Sequence, residues 1–91
     1  MPRAQDLINE AISITEGAAG SDERLSGLIE RMRAQADKFF FKSLAGVPLA
    51  NKAKKAATAI AAAADDSTVG ALDAIVTEIE DKADAPGTVL T

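Results

Sequence analysis

Residues 24–45 read RLSGLIERMRAQADKFFFKSLA, and this stretch decides the fold class. Its apolar or small residues alternate steps of four and three, at Leu25, Ile29, Met32, Ala36, Phe39 and Ser43. Positions three and four apart share one face of a helix, so the spacing is that of a heptad seam. We therefore expect one helix of about six turns, which Gly46 and Pro48 end near Ala45.

The residues before this stretch predict a second helix. It runs from about Pro2 to Glu16, and the closely spaced Gly17 and Gly20 make its continuation costly. The residues that face inward at helical spacing are Leu7, Ile8, Ala11, Ile12 and Ile14. Ser21 is the expected N-cap of the long helix that follows.

Two more helices are expected after the long helix. One starts at Pro48 or is capped by Asn51, and its inward face is mostly alanine, which allows a neighbouring helix to approach closely. The last is capped by Asp66 or Ser67 and ends at residues 85–87. The predicted inward residues are Leu49, Ala53, Ala56, Ile60 and Ala63 in the former, and Val69, Leu72, Val76, Ile79 and Ala83 in the latter.

The pattern as a whole indicates an all-α protein. No run alternates with period two over a useful length, so no sheet is expected. Short connections favour a small antiparallel bundle of about four helices or a pair of helical hairpins. We expect a single helical domain over residues 1–85, followed by a short extended C-terminal tail over residues 86–91.

Composition excludes several kinds of chemistry. The chain has 91 residues and no Cys, His, Trp or Tyr, so thiol nucleophiles, imidazole bases, disulfides and ordinary zinc or haem sites are excluded. We expect no cofactor, no metal site and no enzymatic activity. No apolar run is long enough to span a membrane, and Asp6, Glu10 and Glu16 interrupt any signal peptide. The expected location is cytoplasmic or in a virion.

Charge is segregated along the chain. Residues 1–23 carry a net charge of −4, residues 24–55 carry +6 and residues 56–91 carry −6. One interpretation is that basic and acidic helices pair within the fold. The other is that the basic central helices bind an acidic protein or nucleic acid.

Two clusters of basic residues are candidate partner-binding sites. Arg24, Arg31 and Lys38 recur every seven residues and form one stripe, with an acidic residue one position before each. Lys52, Lys54 and Lys55 lie in the first turns of a predicted helix, where free backbone amides and ammonium groups favour an anion. The alternative for both clusters is pairing with carboxylates on a neighbouring helix.

Phe41 is the third candidate for partner binding. On a continuous helix it falls opposite the seam, on a stripe with Gly27 and Ala34 at seven-residue spacing. The loop at Val47–Leu49 covers it, or the stripe is an association surface with Phe41 as its anchor.

These features favour a non-enzymatic structural or interaction protein that acts as a subunit of a larger assembly. Only 22 large apolar residues remain when Met1 is left out, so the core is small and gains from association. A small virion component, such as a capsid-decorating or connector protein, fits this description. The alternative is a small regulator or adaptor whose basic central helices bind an acidic protein or nucleic acid.

Overall fold

The computed structural model describes residues 3–84, and every regular element within them is helical. The elements are α1 (Ala4–Ala19), α2 (Glu23–Ala36), α3 (Phe39–Lys42), a 3-10 turn (Leu44–Gly46), α4 (Val47–Ala62) and α5 (Asp66–Ala83). The expected all-α bundle is confirmed. The predicted start at Pro2, the helix end at residues 85–87 and the extended tail over 86–91 lie outside the described residues.

The predicted long helix is interrupted, which corrects the sequence analysis. Asp37 and the extended Lys38, with φ −71° and ψ 155°, separate α2 from α3. Successive side chains on a helix point about 100° apart, so a continuous helix could not turn its three consecutive phenylalanines towards one core. After the break Phe40 and Phe41 are buried, with ring centroids 5.1 Å apart in an edge-to-face arrangement, and Phe39 is exposed.

The helix ends differ from the predicted ends by a few residues. Asp22 rather than Ser21 caps α2, because its side chain accepts a hydrogen bond from the Arg24 backbone N–H at 2.9 Å. Asp65, one residue before the predicted caps, forms a capping box with Thr68 at the start of α5. The first helix, α1, continues past its predicted end at Glu16 and stops before Gly20, whose φ of +51° favours glycine.

The helices form two hairpins placed side by side. Within each hairpin, α1–α2 or α4–α5, a short connection makes the helices antiparallel. Across the hairpins, Glu10 of α1 pairs with Lys54 of α4 while Gly46 lies beside Ala4, so α1 and α4 run parallel. The helices α2 and α5 run parallel as well, and α2 and α4 occupy opposite corners because each contacts both α1 and α5.

Most of the predicted core is buried. The residues confirmed as buried are Leu7, Ile8, Ala11, Ile12, Leu25, Ile29, Met32, Ala36, Leu49, Ala53, Ile60, Val69, Leu72, Val76, Ile79 and Ala83. The helix α1 packs most extensively against the alanine-rich side of α4, which agrees with the close approach expected from that face. The predictions for Phe39 and Ala63 are wrong because both are exposed, while Ile14 and Ala56 are half-buried.

Gly46 allows the turn after α3 to pack closely against Ala4 at the start of α1. A Cβ at this position would lie 2.5 Å from the Phe40 carbonyl oxygen and 3.2 Å from the Ala4 Cβ. The clash with a backbone atom cannot be relieved by rotating a side chain. Only a glycine fits here without a backbone shift.

We expect Gly46→Ala to lower the free energy of unfolding by about 1–3 kcal/mol, the usual range for overpacking. Urea denaturation followed by circular dichroism measures this change. Gly70→Ala is the matched control, because a Cβ there meets no atom within 4 Å and alanine is favoured inside α5 by about 0.5–1 kcal/mol. Equal effects of the two substitutions would contradict the close approach at Gly46.

Candidate interaction surfaces

Arg31 joins α2 to α5 through two carboxylates. Its Nη1 donates to Asp73 Oδ1 at 2.9 Å, and its Nη2 and Nε donate to the two oxygens of Glu80 at 2.6 and 3.1 Å. These charge-assisted bonds favour the charged forms on both sides, so they raise the pKa of Arg31 and lower the pKa of Glu80. The Arg31 side chain is therefore engaged within the fold.

Arg24 and Lys38, the other two cations of the predicted basic stripe, pair with acids at the two ends of α5. Arg24 reaches Asp66 across the hairpins at 2.9 Å and also pairs with Asp22 at 3.0 Å. Lys38 pairs with Asp84 at the far end of α5. Pairing between helices within the fold is thus confirmed for this stripe, and a partner would have to compete with these carboxylates for its three cations.

The acids that meet this stripe were visible in the sequence as a second heptad pattern. Asp66, Asp73 and Glu80 recur every seven residues, in step with the basic residues of α2. In the parallel pair α2 and α5, the matching repeats place Arg24 beside Asp66 and Arg31 beside Asp73. The spacing of these acids was not compared with the basic stripe in the predictions from sequence, so this match was missed.

The lysine cluster of α4 divides into paired and unpaired members. Lys54 pairs with Glu10 of α1 at 2.8 Å, whereas Lys52 and Lys55 are exposed and have no ion-pair partner within residues 3–84. Because α4 begins at Val47, Lys52 lies beyond the first turn and its free amides. The predicted anion site at a helix N-terminus is therefore wrong in its geometry.

Phe41 does not lie on the protein surface. It is 1% exposed, so the expectation that it anchors a surface stripe with Gly27 and Ala34 is wrong. After the break, Phe41 lines a cleft together with Ala4 at the start of α1 and Val47 at the start of α4. Val47–Leu49, predicted as a covering loop, forms the first turn of α4. Gly27 and Ala34 remain on the outer side of α2, and a Cβ at Gly27 would meet no atom within 4 Å.

Two other apolar side chains are exposed in the segment that joins α2 to α4. Phe39 is 48% exposed and Leu44 is 83% exposed, and they are the only large exposed hydrophobic residues among residues 3–84. Leu44 borders a cleft of about 340 Å³, together with Phe41, Val47 and residues from the start of α1. We call Phe39, Leu44 and this cleft the apolar corner. The heptad spacing placed Phe39 in the predicted core because it was extended over an unbroken helix.

Residues 3–84 contain no group of three or more acidic side chains arranged to hold a metal ion. In the same part of the chain, no helix combines the length and apolar character needed to cross a membrane. Searches against family models, curated proteins and solved structures find no match to this chain.

The Arg31 contacts give stability a pH dependence. Because Arg31 lowers the pKa of Glu80, the contact stabilises the fold above the ordinary glutamate pKa of about 4.3, and this contribution is lost as pH falls through the lowered value. We expect Arg31→Gln to lower the free energy of unfolding by about 0.5–1 kcal/mol at pH 7. The difference in unfolding free energy between Arg31→Gln and the wild type should shrink as pH falls below about 4.3, measured by urea denaturation at each pH.

Arg3→Gln is the matched control. It removes the same charge, but Arg3 meets only the exposed Asp6 at 3.4 Å within α1, so its effect should be negligible. A gap for Arg31→Gln that is the same at pH 7 and pH 3 would contradict an ionic role for this residue.

Proposed function

We propose that the protein is a non-enzymatic interaction protein that works as a subunit of a larger assembly. The observation that carries the proposal is the apolar corner, where Phe39 and Leu44 expose large side chains on a small protein. Covering apolar surface is favourable by about 25 cal/mol for each Å² removed from water. A complex in which a partner covers this corner is therefore stabilised by burial of side chains that are exposed in the single chain.

Residue content and ion pairing support the non-enzymatic part of the proposal. Without Cys or His the chain lacks the commonest nucleophiles and bases of catalysis. Arg31, whose pKa is raised, and Glu80, whose pKa is lowered, pair with each other between α2 and α5. Their shifts are accounted for by helix packing.

The alternative role as an adaptor for nucleic acid or an acidic protein has less support. Arg24, Arg31 and Lys38 already pair with carboxylates of α5, so phosphates would have to compete with them. Among residues 3–84, Lys52 and Lys55 are the basic residues of α4 for which no ion-pair partner is present. The finer expectation of a virion component stays a prediction.

We expect the protein in an extract of its source to migrate at a native mass well above the 9.4 kDa of a single chain. The double substitution Phe39→Ser with Leu44→Ser should shift it towards lower mass, because it removes the apolar side chains of the corner. Native gel filtration of the extract, followed by detection of the chain, measures both. The urea midpoint of the purified variant should match the wild type, since both residues are exposed.

Ala45→Ser is the matched control at the same corner, because it adds a hydroxyl group to an exposed residue without removing a large apolar side chain. It should leave the native mass unchanged. A wild-type chain that migrates as a monomer in the extract would overturn the proposed function.

A further inference from the structure

The outer face of α2 carries acidic and small residues at heptad spacing. Its members are Glu23, Gly27, Glu30 and Ala34, together with Asp37, which directly follows α2 and accepts a hydrogen bond from Gln5 Nε2 at 3.1 Å. We call this set the acidic face. All are exposed except the half-buried Gly27, and Glu23 and Glu30 have no ion-pair partner within residues 3–84. Gly27 and Ala34 lack bulky side chains, so another helix can approach this face closely.

The outer face of α4 repeats the same spacing with the opposite charge. Its members are Pro48, Lys52, Lys55, Ala59 and Ala62, all exposed, and we call this set the basic face. Neither lysine has an ion-pair partner in the described part of the chain. Here too small residues follow the charged ones, so close approach of a second helix is sterically open.

The acidic and basic faces point away from each other. Each of α2 and α4 contacts α1 and α5, so the two helices occupy opposite corners of the bundle, and each face lies opposite its helix's buried residues. They cannot meet within one molecule. Two-fold pairing of like faces is unfavourable, because it would bring Glu30 near Glu23 or Lys52 near Lys55 across the contact.

We propose that the acidic face of one molecule binds the basic face of a second copy of this chain. In an antiparallel arrangement Glu30 lies opposite Lys55 and Gly27 lies opposite Ala59. Lys52 then lies opposite Ala34, within a lysine side chain's reach of Asp37. This register uses both charge complementarity and the small residues, and it buries no like-charged pair.

Such a contact repeats from molecule to molecule. The contact joins two different faces at opposite corners of the bundle. A row of bound molecules therefore has a free acidic face at one end and a free basic face at the other. The product is an open chain or a closed ring, not a two-fold dimer. The inference rests on the proposed function and names the partner, a second copy, but it uses a surface separate from the apolar corner.

Charge reversal tests this contact. Sedimentation velocity of purified protein in about 20 mM salt should show mass that rises with concentration, and about 0.5 M salt should reverse it. Glu30→Lys and Lys55→Glu should each weaken association by about tenfold or more, because each sets like charges opposite one another. An equimolar mixture of the two variants should associate again when the variants alternate. One contact then pairs the two substituted residues, and the next pairs the unchanged Glu30 with the unchanged Lys55, so opposite charges meet in both.

The matched controls are Asp81→Lys and Lys42→Glu. Each makes the same change in net charge at an exposed residue outside both faces, so each should associate like the wild type. A wild-type monomer at every concentration in low salt, equal loss in the controls, or no recovery in the mixture would each overturn the inference. A large native mass in the extract together with a purified monomer would overturn the self-contact alone and leave the proposed function standing.

Discussion

The arrangement of the helices depends on the break between α2 and α3, which changes the direction in which the three consecutive phenylalanines point relative to the core. Asp37 and Lys38 leave the helical conformation, and the following turn presents Phe40 and Phe41 inward as an edge-to-face pair. The same break carries the chain across the end of the bundle. It allows α4 to begin beside the start of α1, and it leaves Phe39 exposed.

The register between the hairpins follows from charge. The cations of α2 and the acids Asp66, Asp73 and Glu80 of α5 share a seven-residue repeat, and parallel helices keep such repeats in step over several turns. Each exposed pair contributes little by itself. Arg31 differs because one guanidinium group bridges two carboxylates, which holds the axial position of α5 against α2.

Periodicity was sufficient to predict the fold class and most of the core, because burial on a helix repeats every three to four residues. The last helix is the clearest case, since each of its predicted inward residues is buried. Phe39 was assigned to the core and Phe41 was left between a covered and a surface position, because a break between two helical segments changes the phase without any glycine or proline to mark it. The pairing of hairpins depends on contacts distant in sequence, so the candidate surfaces could be placed only once the fold was known.

On α2, the acids that face solvent and the cations that pair with α5 are offset by one residue. Each acid of its outer face precedes a cation of the basic stripe, as in Glu30 and Arg31, and adjacent residues point about 100° apart on a helix. The helix α5 therefore neutralises the cations and leaves the acids facing solvent. Because Glu30 makes no ion pair within residues 3–84, reversing its charge changes what the surface attracts without removing a contact that holds the bundle together.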